Sequence, residues 1–164
     1  MPNRLYGISV LAIAAIVGAY QYIYAPYFPK DEVFKVSIHD KEIMDGREKS
    51  RHSLPLFWSK LASHDSSETK FMVKLGINDN GNVEHMWCID IIGNAVKASC
   101  KIDNEPETVH NVKIDQRIDI DPAIISDWMY LKNGKIKGGQ SIRILASRLP
   151  EEKKAAFQKL FAEE

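Results

Sequence analysis

A stretch without charged side chains at residues 5–28 constrains this chain more than any other feature. A hydrocarbon core about 30 Å thick is crossed by roughly 20 apolar residues in a helix, and this stretch is long enough. Tyrosines crowd its far end, where aromatic rings favour the membrane interface. Arg4 precedes it, so the positive charge stays in the cytoplasm. The sequence therefore predicts a single-pass anchor in the cell inner membrane, with the domain at residues 31–164 outside the cytoplasm.

A cleaved signal peptide is the alternative interpretation of the same stretch. Val17 and Ala19 place modest or small side chains at the two positions that a signal peptidase inspects, so cleavage would follow Ala19. The product would be a secreted or periplasmic protein. A helix buried in a soluble domain is a third alternative.

The composition is that of one ordinary globular domain preceded by an anchor and linker at residues 1–30. The 164 residues are 45% apolar and 27% charged, and the formal net charge is zero. Without the leading segment about 135 residues remain, which is enough for a single core. A net charge of zero lacks the basic excess typical of nucleic-acid-binding domains, so we expect no nucleic-acid partner.

Apolar spacing and turn signals predict a helix, a run of strands and a closing helix. Spacings of three and four residues predict an amphipathic helix at residues 40–63, kinked or divided at Pro55. Alternation bounded by turn residues predicts strands at residues 70–77, 83–92, 95–103, 117–121, 128–136 and 140–145. Asn80-Gly81 and Asn133-Gly134 are hairpin signals. Pro150 starts the closing helix.

These elements predict an α+β domain. We expect the kinked helix to pack on a curved antiparallel meander of five or six strands, with the C-terminal helix on the same face. Residues 33–38 form a strand or an extended lead-in. Paired glycines at Gly138-Gly139 could curve the sheet toward a small barrel.

The two cysteines, Cys88 and Cys100, suggest a disulfide if the compartment is oxidising. A tight turn that pairs Ile91 with Val96 also pairs Trp87 with Cys100, and Cys88 then points to the opposite face. We therefore favour two buried free thiols. A register change of one residue would reverse this prediction.

Two tryptophan-bearing stretches combine interior residues with polar side chains that need partners. The candidate binding-surface residues are Glu84, His85, Trp87, Asp127, Trp128 and Arg143. A histidine beside a tryptophan is usually a hydrogen-bonded core or rim residue, and Asp127 is typical of a carboxylate that fixes a bend by accepting backbone N–H bonds. Arg143, on the predicted last strand, is a suitable bidentate partner for Asp127 or Glu84.

A catalytic interpretation uses two of the same residues. Asp127 and His85 could act as acid and base in an envelope hydrolase if both side chains met in a concave pocket. No Ser or Cys nucleophile is accompanied by a base, and the five histidines lack paired metal-binding spacing. We therefore expect no metal and no cofactor.

Six short motifs carry a resemblance to a known family. They are Phe71-Met72-Val73-Lys74, Glu84-His85-Met86-Trp87, Asn104-Glu105-Pro106, Ile125-Ser126-Asp127-Trp128-Met129, Asn133-Gly134-Lys135 and Gly138-Gly139. Together with the helices on either side they resemble the bacterial YegJ-like family, catalogued as domain of unknown function 2314 (DUF2314). The resemblance covers about residues 43–161. It implies a small domain, often exported or membrane-linked, without agreed catalytic residues.

These observations lead to one functional hypothesis. We expect a non-enzymatic, membrane-tethered domain that binds a protein or another component of the cell envelope. An immunity-type protein that blocks a secreted toxin is one concrete version.

Overall fold

The computed structural model describes residues 40–162 with their side chains and residues 5–9 and 33–37 as backbone. The strands are β1 (Leu5–Ser9), β2 (Val33–Ser37), β3 (Glu68–Asp79), β4 (Asn82–Gly93), β5 (Ala98–Ile102), β6 (Arg117–Asp119), β7 (Ile125–Lys132) and β8 (Lys135–Gly138). The helices are α1 (Lys41–Ser63), α2 (Gln140–Ser147) and α3 (Glu151–Gln158), and a 3₁₀ turn spans Pro122–Ile124.

The predicted membrane segment at residues 5–28 overlaps the described residues only at β1. Residues 5–9 form a strand there, where the prediction had a helix, and residues 10–28 lie outside the described residues. Within the described ranges no helix combines the length and the apolarity that crossing a membrane requires.

Strands β3 to β8 form one antiparallel sheet in the order β6-β5-β4-β3-β7-β8. β1 joins this sheet through a parallel bridge to β4 and pairs with β2. The predicted α+β class is confirmed. The predicted meander is wrong at one step, because the chain crosses from β6 on one side of the sheet to β7, which pairs with β3.

Both predicted two-residue hairpin turns are present. Asn80 and Gly81 connect β3 to β4 with φ of 51° and 86°, and Asn133 and Gly134 connect β7 to β8 with φ of 50° and 75°. Asn and Gly accept positive φ at low cost, which is why these dipeptides fix the turns and the register of each hairpin.

The helices cover both faces of the sheet, whereas we expected them on one. Phe57 of α1 packs in a core with Val73, Leu75 and Trp128. On the other face, α2 and α3 form a second core with the sheet, which contains Met72, Trp87, Met129, Leu131, Ile136, Ile142, Ala146, Phe157 and Leu160. The sheet is therefore buried from both sides, and polar side chains on either face need internal partners.

Helix α1 is one continuous helix, so the predicted division at Pro55 is wrong. Its start is fixed by Asp40, whose carboxylate accepts the N–H of Ile43 at 3.3 Å. Arg148 binds that carboxylate at 2.6 and 2.8 Å and thereby lowers the pKa of Asp40. The same guanidinium reaches Glu42 at 2.6 Å, so one arginine joins the start of α1 to the end of α2.

Residues 140–145 form helix α2, not the predicted last strand. Gly138 and Gly139 both have positive φ, 77° and 67°, and turn the chain away from the sheet after β8. A side chain at Gly138 would lie 2.4 Å from the carbonyl oxygen of Trp128, so this turn requires glycine. Ile142, Leu145 and Ala146 are buried at helical spacing, a pattern that is too short to separate helix from strand in the sequence.

Cys88 and Cys100 form a disulfide, with their Cα atoms 5.6 Å apart, so the prediction of free thiols is wrong. β4 contains a register shift between Ile89 and Ile92, where Asp90 has a φ of 49°. This bulge pairs Cys88 with Ile102, which puts Cys88 and Cys100 on the same face as diagonal neighbours.

The sheet forks beyond the pair Val73–Cys88, which is the last pair in the register of β3 and β4. From there residues 68–72 of β3 pair only with β7, and residues 89–93 of β4 pair only with β5. No described strand lies between the two arms. We call this region the sheet fork.

Candidate functional site

A buried polar cluster occupies the centre of the sheet on the face covered by α2. We define it as Lys74, His85, Ser126, Asp127 and Ser141, and each is at most 9% exposed. Lys74 of β3 lies directly opposite Trp87 of β4 on one side and Asp127 of β7 on the other. The pairing of the three strands thus brings both tryptophan-bearing stretches beside one lysine.

The ammonium of Lys74 is held by an aromatic ring and a hydroxyl. Nζ lies 5.2 Å from the centre of the Trp87 ring and 3.5 Å from Oγ of Ser141. Burial lowers the pKa of Lys74 to about 8, because the charged form has lost its water; the charge of Asp127 opposes this shift and that of Arg47 adds to it.

Asp127 anchors three elements through its carboxylate. Oδ2 accepts the backbone N–H and the hydroxyl of Ser141, both at 2.7 Å. Oδ1 accepts the hydroxyl of Ser50 and the N–H of Trp128, both at 2.8 Å, and the N–H of Gln140 at 3.2 Å. The carboxylate therefore ties α1 and β7 to the start of α2.

Helix α2 uses this distant carboxylate as its N-terminal cap. Gly139, the residue that precedes the helix, has no side chain to satisfy the first N–H groups. Asp127 accepts from Gln140 and Ser141 instead, and its negative charge lies at the positive end of the helix dipole. Asp127 thus has the structural role that its sequence context favoured, although the element it fixes is a helix.

His85 has a hydroxyl as its polar partner. Its Nδ1 lies 2.9 Å from Oγ of Ser126, which also donates to the carbonyl of Lys74 at 3.2 Å. Burial holds the pKa of His85 well below its usual range, and the nearby charges of Arg47 and Lys74 lower it further. His85 is therefore a neutral ring at physiological pH.

Glu84 points to the opposite face and holds the loop that follows β5. Its carboxylate accepts the N–H groups of Glu107, Thr108 and Val109 at 2.8 to 3.2 Å and the hydroxyl of Thr108 at 3.1 Å. Glu84 is 3% exposed, so its buried carboxylate fixes this loop against β4.

The two tryptophans lie in different cores. Trp87 belongs to the core under α2 and α3, whereas Trp128 belongs to the core under α1. Nε1 of Trp128 donates to the carbonyl of Ser50 at 2.9 Å, which satisfies the one polar atom of that buried ring.

Arg143 lies on α2 rather than on a strand. Its Nε donates to the carbonyl of Gly138 at 3.1 Å, and its guanidinium lies 4.1 Å from the centre of the Phe161 ring. It joins the start of α2 to the chain after α3.

An open cleft, unlike the buried polar cluster, lies in the sheet fork. One cavity of about 300 Å³ is lined by Leu61, Lys70, Phe71, Met72, Ile89, Asp90, Ile91 and Asp103. A second, of about 660 Å³, is lined mainly by the end of α1, its exit loop and the two arms. Leu61, Phe71 and Ile91 line both, so the cavities adjoin and form what we call the fork cleft.

Left-handed backbone opens the fork on each arm. Lys70 has a φ of 54° within the register shift of β3, and Asp90 has a φ of 49° within that of β4. Such conformations are uncommon for residues other than glycine and persist only where the surroundings impose them. A bulge bends the strand that carries it, so both arms depart from regular strand geometry beside the cleft.

Asp103 is a carboxylate of the fork cleft with neither a hydrogen bond nor an ion pair within residues 40–162. Glu68 also accepts no hydrogen bond there, but its carboxylate lies beside the ammonium groups of Lys60 and Lys132. Burial raises the pKa of Asp103 to about 6, and the charges of Asp115 and Asp90 raise it further, while that of Lys70 opposes them. By contrast, the Asp90 carboxylate lies 3.1 Å from the ammonium of Lys101.

Comparison with known proteins identifies the family. The model of "Uncharacterized protein conserved in bacteria (DUF2314)" matches residues 40–162, which include every helix and strand from α1 onward. The chain belongs to the DUF2314 family. The resemblance seen in the motifs is therefore confirmed.

Two bacterial proteins are similar to the chain in sequence. The Uncharacterized protein YegJ of Escherichia coli (strain K12) is 34% identical over 115 residues, which are 70% of this chain and 74% of that protein. The Putative ankyrin repeat protein NMB1133/NMB1171 of Neisseria meningitidis serogroup B is 28% identical over 130 residues, 74% of this chain but about half (51%) of that protein. No solved structure matches.

Two features of this DUF2314 domain were missed in the sequence. Lys74 was not singled out because the alternation of β3 indicated one buried face, and Lys74 lies on the other. The fork cleft depends on two bulges, for which an alternating pattern gives no signal. Within residues 40–162 no group of three or more His, Cys, Asp or Glu side chains is arranged to hold a metal ion.

Proposed function

We propose that this DUF2314 domain is a non-enzymatic binding module, tethered on the outer side of the cytoplasmic membrane, that captures a protein partner in the fork cleft. The fork cleft carries the proposal, since two sheet arms lie open there beside apolar side chains and a half-buried carboxylate. Concave apolar surfaces with a few polar groups are the usual form of binding sites. An immunity-type role, in which the partner is a secreted toxin, is one version.

Asp127 and His85, the two candidate catalytic residues, are held by internal contacts, which favours a binding role over a catalytic one. The oxygens of Asp127 accept five hydrogen bonds, and the ring of His85 is buried and neutral. Neither residue lines either of the two adjoining cavities of the fork cleft. The hydrolase alternative would require both side chains to leave these bonds, so we do not favour it.

The compartment is the second part of the proposal. Disulfides persist in oxidising compartments and are rare in the cytosol, and the Cys88–Cys100 bond favours the former. The uncharged stretch at residues 5–28, preceded by Arg4, supports an anchor of the same orientation. Cleavage after Ala19 would leave the domain in the same compartment without its tether.

Site-specific photocrosslinking in intact bacteria tests the binding function. A photoreactive side chain replaces Ile91, which lines both cavities, or Val96, which is 91% exposed on the β4–β5 turn and serves as the matched control. We expect a single discrete adduct from position 91 that is absent from position 96. The purified adduct partner should then bind the full chain stoichiometrically. No adduct, or the same adducts from both positions, would contradict the proposal.

A topology reporter at the carboxyl end tests the compartment separately. An alkaline phosphatase fusion is active only outside the cytoplasm, and we expect activity. Activity of a cytoplasmic reporter in its place would overturn the compartment while leaving the crosslinking result interpretable.

A further inference from the structure

The sheet fork has the dimensions of a missing strand. Residues 68–72 and 89–93 each extend beyond the Val73–Cys88 pair by five residues, which at about 3.3 Å per residue is a slot roughly 17 Å long. The arms diverge because each is paired on its outer side only. Backbone groups on the inner sides thus face the cleft, where a chain could pair with them, except the N–H of Glu68, which donates to the carbonyl of Asp65.

Successive side chains along each arm of the fork are apolar and lie on opposite faces of the sheet. Phe71 and Ile91 belong to the core under α1, whereas Met72 and Ile89 belong to the core under α2 and α3. An extended peptide directs successive side chains to opposite faces, as the arms themselves do. A strand in the slot would therefore continue both cores.

The carboxylate of Asp103 favours a basic side chain in the occupant of the cleft. The lining residues of the two cavities include the carboxylates of Asp65, Glu68, Asp90 and Asp103, against the ammonium of Lys70 alone. Lysines flank two of these carboxylates: Glu68 lies 3.0 and 3.4 Å from those of Lys60 and Lys132, and Asp90 has Lys101. Asp103 accepts no hydrogen bond from the described part of the chain, and the like charges of Asp115 and Asp90 act on it together with the opposite charge of Lys70.

We propose that the fork cleft accepts an extended segment of a partner protein, which pairs with both arms as an added strand and places a lysine or arginine against Asp103. Addition of a strand to open sheet edges is an established mode of peptide recognition, in which backbone bonds give affinity and alternate side chains give specificity. A basic side chain there forms a charge-assisted bond with Asp103 and relieves the repulsion from Asp115. This inference rests on the proposed binding function and names the chemistry of its partner.

Synthetic peptides that bind the purified full chain in detergent test the inference. The probe is a fluorescent eight-residue peptide of valines with one lysine, at its third position, to meet Asp103. A version with proline at two central positions has no N–H groups there for pairing, and a version with glutamate in place of lysine reverses the charge. We expect saturable binding of the first peptide alone. Equal binding of the proline or glutamate version would overturn the proposal, as would no binding of any.

Asp103→Asn and Asp119→Asn are the matched variants. Both remove one carboxylate charge, but Asp119 is exposed on β6 and does not line the cleft. We expect Asp103→Asn to weaken the valine–lysine peptide about tenfold, the effect of one lost charge-assisted bond, and Asp119→Asn to leave it unchanged. Equal effects of the two variants would overturn the role of Asp103.

Three further outcomes distinguish a partner segment from a second copy of the chain, and the added strand from the proposed function. The full chain could be a dimer that dissociates when peptide binds. That result would assign the cleft to self-association and overturn the proposal that a segment of a partner protein occupies it. A protein crosslinked at position 91 in cells, together with failure of all peptides, would overturn the added strand but leave the proposed function intact. Peptide binding in a chain that a topology reporter places in the cytoplasm would support the added strand and overturn only the compartment assigned in the proposed function.

Discussion

Val73 and Cys88 are the last residues at which β3 and β4 face each other, and Cys88 is also bonded to Cys100 of β5. The sheet therefore forks at the residue through which β4 is covalently bonded to β5. The disulfide links these two strands at the base of the β4 arm. The face on which Cys88 lies follows from the bulge at Asp90, which is also one of the two bulges beside the fork cleft.

Reduction of the disulfide should destabilise the domain. The bond closes a short loop, with a sequence separation of 12, and constraint of such a loop in the unfolded chain contributes about 3 kcal/mol. Urea unfolding with and without reductant measures the difference in the free energy of unfolding. A variant with both Cys88→Ala and Cys100→Ala should not respond to reductant. An unchanged midpoint for the parent protein would show that the bond does not constrain the fold.

Asp127→Ala should be among the most destabilising single substitutions in the domain. It leaves the N–H groups of Gln140, Ser141 and Trp128 buried without their acceptor, together with the hydroxyls of Ser50 and Ser141. We expect a loss of about 4 kcal/mol in the free energy of unfolding.

The control for this substitution is Asp119→Ala, on an exposed residue of β6, which should change stability by less than about 0.5 kcal/mol. Chemical denaturation of both variants makes the comparison. Unaltered stability of Asp127→Ala would contradict its structural role and revive the hydrolase alternative, because catalytic residues are often replaced without loss of stability.

Lys74→Met should stabilise the protein at neutral pH. The pKa of Lys74 is about 8 in the folded protein and near 10.5 in the unfolded chain, so burial of its charge opposes folding below pH 8. The parent protein regains this free energy as the pH rises from 8 to 10.5, because its unfolded chain binds the proton more tightly. The advantage of the variant should be about 3 kcal/mol at pH 7 and vanish above pH 10.5.

Denaturation of parent and Lys74→Met across pH 6 to 10.5 measures this difference. Lys135→Met is a suitable control because Lys135 is exposed at the start of β8. A lower stability of Lys74→Met at pH 7, or a difference that does not depend on pH, would show that Asp127 requires the lysine charge.

Asp103→Asn should raise the melting temperature at neutral pH and leave it unchanged near pH 4. The pKa of Asp103 is about 6 in the folded protein, above its usual 3.8, so the folded state binds the proton more tightly. Stability of the parent protein is therefore lost as the pH rises from about 4 to 6, and the amide avoids that loss. Solvent screening limits the gain to about 1 kcal/mol, since the residue is only half-buried.

Thermal melts at pH 4 and pH 7.5 compare Asp103→Asn with Asp119→Asn. A gain at pH 7.5 that is shared by both variants would attribute the effect to net charge rather than to the fork cleft. Destabilisation by Asp103→Asn alone would mean that the carboxylate has a structural partner.

The elements that the sequence predicts correctly are those fixed by local chemistry. Asn80-Gly81 and Asn133-Gly134 specify their hairpins because few other dipeptides adopt two successive positive φ angles. The helices after Asp40 and Pro150 begin where a cap and a proline favour them.

The errors arise where a distant residue decides the local structure. Residues 140–145 become a helix because Asp127, on another strand, satisfies its first N–H groups. The disulfide follows from an odd shift in register at Asp90, and a shift of that kind reverses which side chains share a face. Lys74 is buried because helices cover both faces of the sheet, which no residue near Lys74 indicates.

Amide hydrogen exchange of the full chain, with and without the protein partner crosslinked at position 91, tests the central claim most directly. If a segment adds to the sheet fork, exchange should slow on binding in residues 68–72 and 89–93, while exchange in the interior of β7 stays unchanged because that strand is already paired. Slower exchange confined to any other surface, with the two arms unaffected, would contradict the account.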